Sequence, residues 1–430
     1  MVLACAVLLA ACSTSSDSNE TLAPTTSITP RSTTSTSTTA APETVDDIAY
    51  LVDAIHANHP DPFHHQTEAE LDERVAAARA AVEAAAPGDP DVALVATARV
   101  ANLGTGEGHG GVYPWGQAGL SAWELNLYDF DDGIRLVGGD RAGVPLGSRL
   151  VAIDGVAVGE LVAAVTPLVP HDNSQTVRAR LPSFLLFPAV LRGAGFDVDD
   201  RATITWELAD GSHVEQPAPP LERADDFRAR LGLIAAQAPP TMPPADSGPQ
   251  YRLRRDEALW FEDIGADAVY VGWNLVLEIS GEVDELRERL AAGVPRAVVV
   301  DVRNNPGGDI GDGIELVNLL ADVESAAPGT VRLIVGRSTF SAATHSVADL
   351  LALVDVIVVG EPTGGSPTSY ADARRIELPV SGVLAFVDSK LYEADSGDWE
   401  PIEPDIAVAL TWPDVEAGRD PVLDAAFAAP

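Results

Sequence analysis

Between Val45 and Leu103 apolar residues recur at helical spacing, with polar residues between them. The stretch "TEAELDERVAAARAAVEAAA" opens on a capping box, Thr67 with Glu70, and stops at Pro87-Gly88. A second helix, "DVALVATARVANL", ends at Gly104. From about Ala118 to Leu208 the pattern shortens to that of strands, and "GSRLVAIDGVAVGELVAAV" reads as a hairpin turning at Asp154-Gly155, followed by a helix. The proline-rich "APPTMPPADSGP" (238–249) interrupts both patterns and marks a boundary. Beyond it, continuous apolar runs alternate with helical ones. "DAVYVGWN" precedes "GEVDELRERLAAGV", "RAVVVDV" precedes "RNNPGGDIGDGIELVNLLAD", and "VRLIVG" precedes "RSTFSAATHSVADL", with "DVIVVG" after that. Apolar strands between helices predict a buried, mostly parallel sheet and therefore an α/β fold.

The chain of 430 residues is long enough for two or three domains. Its charge changes the picture more than its length does. Sixty-five acidic residues against 27 basic ones give a net charge of −38. That excludes nucleic acid as a partner, because phosphate contacts need clustered Lys and Arg. It equally excludes electrostatic docking on anionic lipid, and leaves a solvated acidic surface.

The first residues, "MVLACAVLLAACSTSSD", resemble a bacterial lipoprotein signal with Leu9-Ala10-Ala11-Cys12 as the lipobox. No Lys or Arg precedes the apolar run, as expected if the true start codon lies further upstream. Ser13 to about Pro42 is Ser, Thr, Ala and Pro; it cannot bury a core and is expected to be a flexible tether. About 30 such residues reach roughly 30 Å. Cleavage before Cys12 leaves one cysteine, acylated and so unable to form a disulfide, and a multi-chain anchor holds a protein on a membrane firmly. The expected localisation is extracytoplasmic, lipid-anchored to the bacterial cell membrane.

Candidate chemistry centres on Ser341, in "GRSTFSAATHSVADL" at the start of a helix between two strand-like runs. A helix N-terminus offers free backbone N–H groups to a developing negative charge. The turn "NNPGGD" (304–309) places the amides of Gly307 and Gly308 at the end of the preceding strand, and Ala342 adds another amide. Two converging N–H groups beside a serine are what an oxyanion hole requires. The serine also needs a base. The single lysine, Lys390, lies in "FVDSKLYEAD", outside any glycine-rich turn, so a Ser–Lys dyad is disfavoured. His109, in the glycine loop "GTGEGHGGVYPWG", ranks first, and His345, one helical turn beyond Ser341, ranks second. The cluster His56, His59, His64 and His65 in "HANHPDPFHH" suggests a metal, but Pro60 and Pro62 keep the four from one helix face. A capped turn with some exposed histidines is the reading preferred, with no metal and no cofactor.

"VVVDVRNNPGGD", "RSTFSAATHSVADL" and "VVGEPTGGSPTSY" occur in the order and spacing of the C-terminal processing (tail-specific) serine peptidase family, and "IEPDIAV" and "DPVLDAAF" extend the resemblance. "HPDPF" and the "AIDG" hairpin resemble its lysine-free branch, which is similar to the tricorn core protease and the interphotoreceptor retinoid-binding repeats. The resemblance implies a ClpP/crotonase-like core, a PDZ-like α+β domain and an N-terminal helical segment. The expected boundaries are a signal over 1–12, a linker over 13–44, the helical segment with the base over 45–112, the PDZ-like domain over 113–236, a connector over 237–258 and the core over 259–430. By position Ser341 matches the nucleophile, His109 the base, and Ala342 with Gly307 or Gly308 the oxyanion donors. Asp398 matches the late acidic residue that orients the site, with Glu400 as its rival. Ser366 stands where the processing proteases carry a lysine, and Gly108 stands where the lysine-free branch carries a serine.

Three functions compete on these residues. One is an endopeptidase acting on peptide or protein substrates through an acyl-enzyme. Another is an inactive peptide- or ligand-binding protein on the same fold, which the missing lysine and Gly108 favour. The third is an esterase-like hydrolase using the same nucleophile.

Overall fold

The computed structural model describes residues 46–140, 143–233, 235–394 and 399–429. Cys12 with its expected signal and tether, and Asp398, lie outside these residues.

The helical reading of the first described segment is realised as Asp47–Asn58, Glu68–Ala84 and Pro90–Ala101. The capping box is formed: Thr67 Oγ1 accepts from the Glu70 N–H while the Glu70 carboxylate accepts from the Thr67 N–H. These helices pack on one another, on helix Pro188–Gly193 and on the hairpin strands Arg374–Glu377 and Leu384–Val387. An antiparallel sheet follows in the order Leu125–Phe130, Gly133–Gly139, Arg149–Ile153, Thr203–Glu207, His213–Pro217. The hairpin after Ile153 turns with positive φ at both Asp154 and Gly155, as a type I′ turn demands. Helices Val158–Val165 and Ser174–Phe184 belong to the same layer. One continuous apolar core joins the N-terminal helices, this sheet and the later hairpin strands Arg374–Glu377 and Leu384–Val387.

The α/β core is a six-stranded sheet. Its order is Ile406–Ala407, Ile357–Gly360, Val331–Val335, Ala297–Asp301, Ala268–Trp273, Leu259–Ile264. All pairs are parallel except the last, which is an antiparallel hairpin. Every residue of the strands Ala268–Trp273, Ala297–Asp301 and Val331–Val335 is buried, which is why they read as unbroken apolar runs. Helices Ser280–Ala291, Ile310–Ala326 and Ala342–Leu353 cover one face, and Pro421–Ala428 covers part of the other.

The proline-rich connector is anchored rather than loose, for Ser338 donates to the Pro240 carbonyl and Arg180 to that of Gln237. Among the described residues, no helix is long and apolar enough to cross a membrane.

Candidate active site

Two neighbouring parallel strands end side by side, and the turns beyond them carry the chemistry. Asp301, at the end of one, pairs with Ile334 of the next. The first strand runs into Asn304–Gly308 and the second into Ser338–Ser341, so both turns open at the carboxyl edge of the sheet, where α/β folds place their ligand sites. They are stitched together: the Phe340 N–H donates to the Asn305 carbonyl (3.0 Å) and Thr339 Oγ1 donates to the Val302 carbonyl (2.8 Å).

Ser341 sits at the apex with φ 54° and ψ −130°. An L-residue other than glycine is strained there, by about 1–3 kcal/mol, and such strain collects at functional turns. A strand–turn–helix bend of this kind lifts a nucleophile's hydroxyl above the sheet edge. The bend leaves no room beside it. A Cβ at Gly307, where φ is +107°, would lie 2.7 Å from Ser341 Cβ.

The base comes from the loop between helix Pro90–Ala101 and the antiparallel sheet. His109 Nε2 lies 2.8 Å from Ser341 Oγ, and its Nδ1 lies 3.1 Å from the Tyr370 carbonyl. A carbonyl only accepts, so Nδ1 carries the proton and Nε2 is free to take that of the serine. Burial, then the positive charge of Arg180, pushes His109 down to about 3, so the ring is neutral at physiological pH. Phe340 stacks on it (centroids 4.7 Å apart) and Arg180 lies over Phe340.

Among the described residues no carboxylate touches the imidazole, and the loop itself is held. The N–H of Gly108 donates to Asp172 Oδ1 (2.8 Å) and that of Gly110 to Asp388 Oδ2 (2.9 Å). The Tyr113 hydroxyl lies within 2.7 Å of the Gly108 carbonyl and 3.0 Å of the Gly110 carbonyl. Gly111 exchanges two 2.8 Å backbone bonds with Phe386. Asp388 and Glu107 are buried together: burial raises both carboxyls well above the usual range, helped at Asp388 by the neighbouring Glu107 and at Glu107 by Asp172.

The oxyanion donors resolve more finely than the motif allows. The Gly307 N–H is engaged by Asn305 Oδ1 at 2.9 Å. Val276 accepts from Asp309 and donates to the Gly307 carbonyl, and among the described residues the N–H groups of Gly308 and Ala342 have no partner. Gly308 and Ala342 are thus the free pair, and Gly307 supplies the close approach.

The remaining sequence candidates are not brought to the nucleophile. Ser366 is buried, its Oγ accepting from Asn173 Nδ2 at 3.0 Å. The His345 ring faces Tyr392 (5.8 Å), and burial lowers its basicity. Glu400 is exposed and acts on His65, not on His109. The Tyr370 carbonyl stands in front of Nδ1, and Asp398, the first-ranked orienting acid, lies outside the described residues. In the histidine cluster His56 and His65 are exposed, as expected of a turn with some exposed histidines, while the other two are engaged. His59 is buried with Nε2 2.8 Å from Glu107 Oε1, and His64 stacks between Tyr370 and Trp399. The Asp61 N–H donates to His59 Nδ1, so His59 too is neutral, and burial pushes it down to about 4. Among the described residues no group of three or more His, Cys, Asp or Glu is arranged to hold a metal ion.

Sequence reasoning missed Asp172, Asp388, Glu107, Tyr113 and the Tyr370 carbonyl. Asp172 precedes Asn173, the cap of helix Ser174–Phe184, and so reads as part of a helix start. A backbone carbonyl has no sequence signal at all. Lys390 is exposed, its Nζ 3.0 Å from the Tyr392 hydroxyl. We expect Lys390→Met to react with a serine-directed fluorophosphonate within about twofold of the parent rate, as for surface changes away from a site. A dead Lys390→Met variant would restore a lysine mechanism.

No protein-family model matches the chain, and no curated protein matches it in sequence. Among solved structures it is similar to mature CPAF complexed with lactacystin, with a TM-score of 0.58 at 12% identity over 86% of this chain and 95% of that one. A second structure of mature CPAF gives 0.57 at 14% identity, over 86% and 94%. A photosystem II D1 C-terminal processing protease overlaps with a TM-score of 0.33 at 16% identity, over 68% and 73%, too little to bear on the site. At these identities the CPAF likeness is one of fold, a mixed α/β arrangement over most of both chains.

Proposed function

We propose that this protein is a serine-type endopeptidase. The reading rests on one observation: the Ser341 hydroxyl lies 2.8 Å from the unprotonated nitrogen of a correctly tautomerised His109. It is supported by the Gly308 and Ala342 amides, which have no partner among the described residues, by the processing-peptidase motifs, and by the fold likeness to CPAF. In the first step His109 Nε2 takes the proton as Oγ forms its bond to the carbonyl carbon. The oxyanion is received by the Gly308 and Ala342 amides. The imidazolium then gives its proton to the leaving amine as the C–N bond breaks, and water, deprotonated by the same nitrogen, releases the acyl group. The substrate would lie extended beside the core sheet, held by main-chain hydrogen bonds.

On this reading residues 259–430 form the ClpP/crotonase-like core, and the antiparallel sheet within 113–236 is the PDZ-like part. The lipobox at Cys12 would anchor the enzyme outside the cytoplasmic membrane. Oligomeric state does not enter the mechanism.

The test is to incubate the purified chain and Ser341→Ala with a mixed peptide library and with short-chain p-nitrophenyl esters. We expect internal peptide cleavage by the parent and none by the variant. Ester turnover without peptide cleavage would assign an esterase instead. A folded parent inert to both would be a binding protein.

A further inference from the structure

The two departures from the peptidase motifs, Gly108 and Ser366, meet at one buried carboxylate. Asp172 is fully buried, just ahead of helix Ser174–Phe184. Its Oδ1 accepts the N–H of Gly108 (2.8 Å), the residue before the base. Its Oδ2 accepts the N–H of Ser366 (3.3 Å). Ser366 follows Gly365, which backs the nucleophile so closely that a Cβ there would stand 3.1 Å from Ser341 N. The backbone around Asp172 joins the same link: Gly106 N–H donates to the Asp172 carbonyl (3.0 Å) and Glu107 N–H to that of His171 (3.1 Å). Asn173 adds its bond to Ser366 Oγ. Nor does Gly108 have room for a side chain. A Cβ there would lie 2.5 Å from Asp172 Oδ1 and 2.8 Å from the Phe340 ring.

We infer that Asp172 is a positioning residue, clamping the base loop to the loop behind the nucleophile and so setting the Ser341–His109 separation. The inference rests on the reading of those two as nucleophile and base. The Asp172 carboxylate acts on the base from one peptide bond away, through the Gly108 amide. Only an ionised carboxylate presents acceptors on both oxygens; an amide in its place turns a donor toward one of the two N–H groups. The charged and titratable groups facing Asp172 are Arg180 on the following helix, Glu107 and Tyr113 on the base side, and Asp388 from the hairpin. Burial raises the Asp172 carboxyl to about 6, against the pull of the Gly108 amide and Arg180. Protonation on acidification takes away one of the two acceptors, and the clamp weakens as pH falls through that value.

Asp172→Asn is close to isosteric and separates this role from packing. Hydrogen exchange by mass spectrometry on the full chain follows peptides covering 104–111, 362–368 and the strand Val331–Val335. Fluorophosphonate labelling of Ser341 is followed from pH 5 to 8. We expect exchange about tenfold faster in both loops, the loss of about one hydrogen bond, with the strand unchanged. Labelling should slow by about 10- to 100-fold, as for a small misplacement of reacting groups. The acid step near pH 6 seen in the parent should vanish from the variant. Unchanged exchange in either loop, labelling within about twofold of the parent, or survival of the acid step would overturn the inference. Global loss of protection would do so too, by making Asp172 a folding residue. If both loops loosen while the parent never labels, the clamp stands and the peptidase reading falls.

Discussion

Replacing His109 by alanine should abolish reaction of Ser341 with a fluorophosphonate and stop hydrolysis, lowering turnover by roughly 10⁴- to 10⁶-fold, the range for losing one member of a nucleophile–base pair. A serine hydroxyl does not ionise at neutral pH, so nothing else at this site makes it reactive. Among the described residues, the only side-chain nitrogen in hydrogen-bond contact with Ser341 Oγ is His109 Nε2, at 2.8 Å. Ser341→Ala should be equally inactive, and the double variant no worse, because the two act as a unit. The pH dependence has a definite sign. His109 is pushed down to about 3, so its base form prevails at every higher pH and is lost only as pH falls toward that value. The histidine step usual near 6.5 should therefore be missing, and a step near 6 is the one expected of Asp172. Labelling of His109→Ala at more than about a tenth of the parent rate would remove His109 from the mechanism, well short of the loss expected. His345 would be next in line.

Gly308→Ala should cut the labelling rate by about 10²- to 10³-fold, the cost of losing one oxyanion donor. Gly308 has φ +144°, and a Cβ on it would lie 1.9 Å from the Val276 carbonyl oxygen. That oxygen also accepts the Asp309 N–H at 2.7 Å, so it cannot retreat without unpicking the bridge that shapes the turn. The turn is exposed at this residue and the strands beneath it are fully buried, so circular dichroism should show an intact fold. The same change at Gly307 acts differently, through contact with Ser341 Cβ rather than through a donor. Normal labelling by Gly308→Ala would mean that the oxyanion is held elsewhere.

Much of this could be read along the chain because the signals are local. Continuous apolar runs between helices are what strands buried on both faces require, and the sheet follows them. Thr67 and Glu70 lie within one helical turn, as do Asp154 and Gly155 within one hairpin, so cap and turn chemistry identify them. Ser341 and "NNPGG" were legible for the same reason: each lies in the turn directly after a strand. The partner of the His109 ring was not. Of the two residues matched to the family's late acidic position, Asp398 lies outside the described residues. Glu400 instead faces His65, and a backbone carbonyl from Tyr370 stands before the ring.

What the sequence determined on its own is therefore the inventory and its local geometry: an alternating α/β core, a serine at a helix start, and glycines where the backbone must approach closely. What only the tertiary structure decided is which groups meet. Ser341 and His109 are 232 residues apart, and Asp172 joins Gly108 to Ser366 across 64 and 194 residues. Periodicity and turn chemistry report on contacts within a few residues. Pairings across hundreds of residues arise when separately specified layers pack against one another, and the choice among buried carboxylates is made there, by burial and by which amides lack a partner.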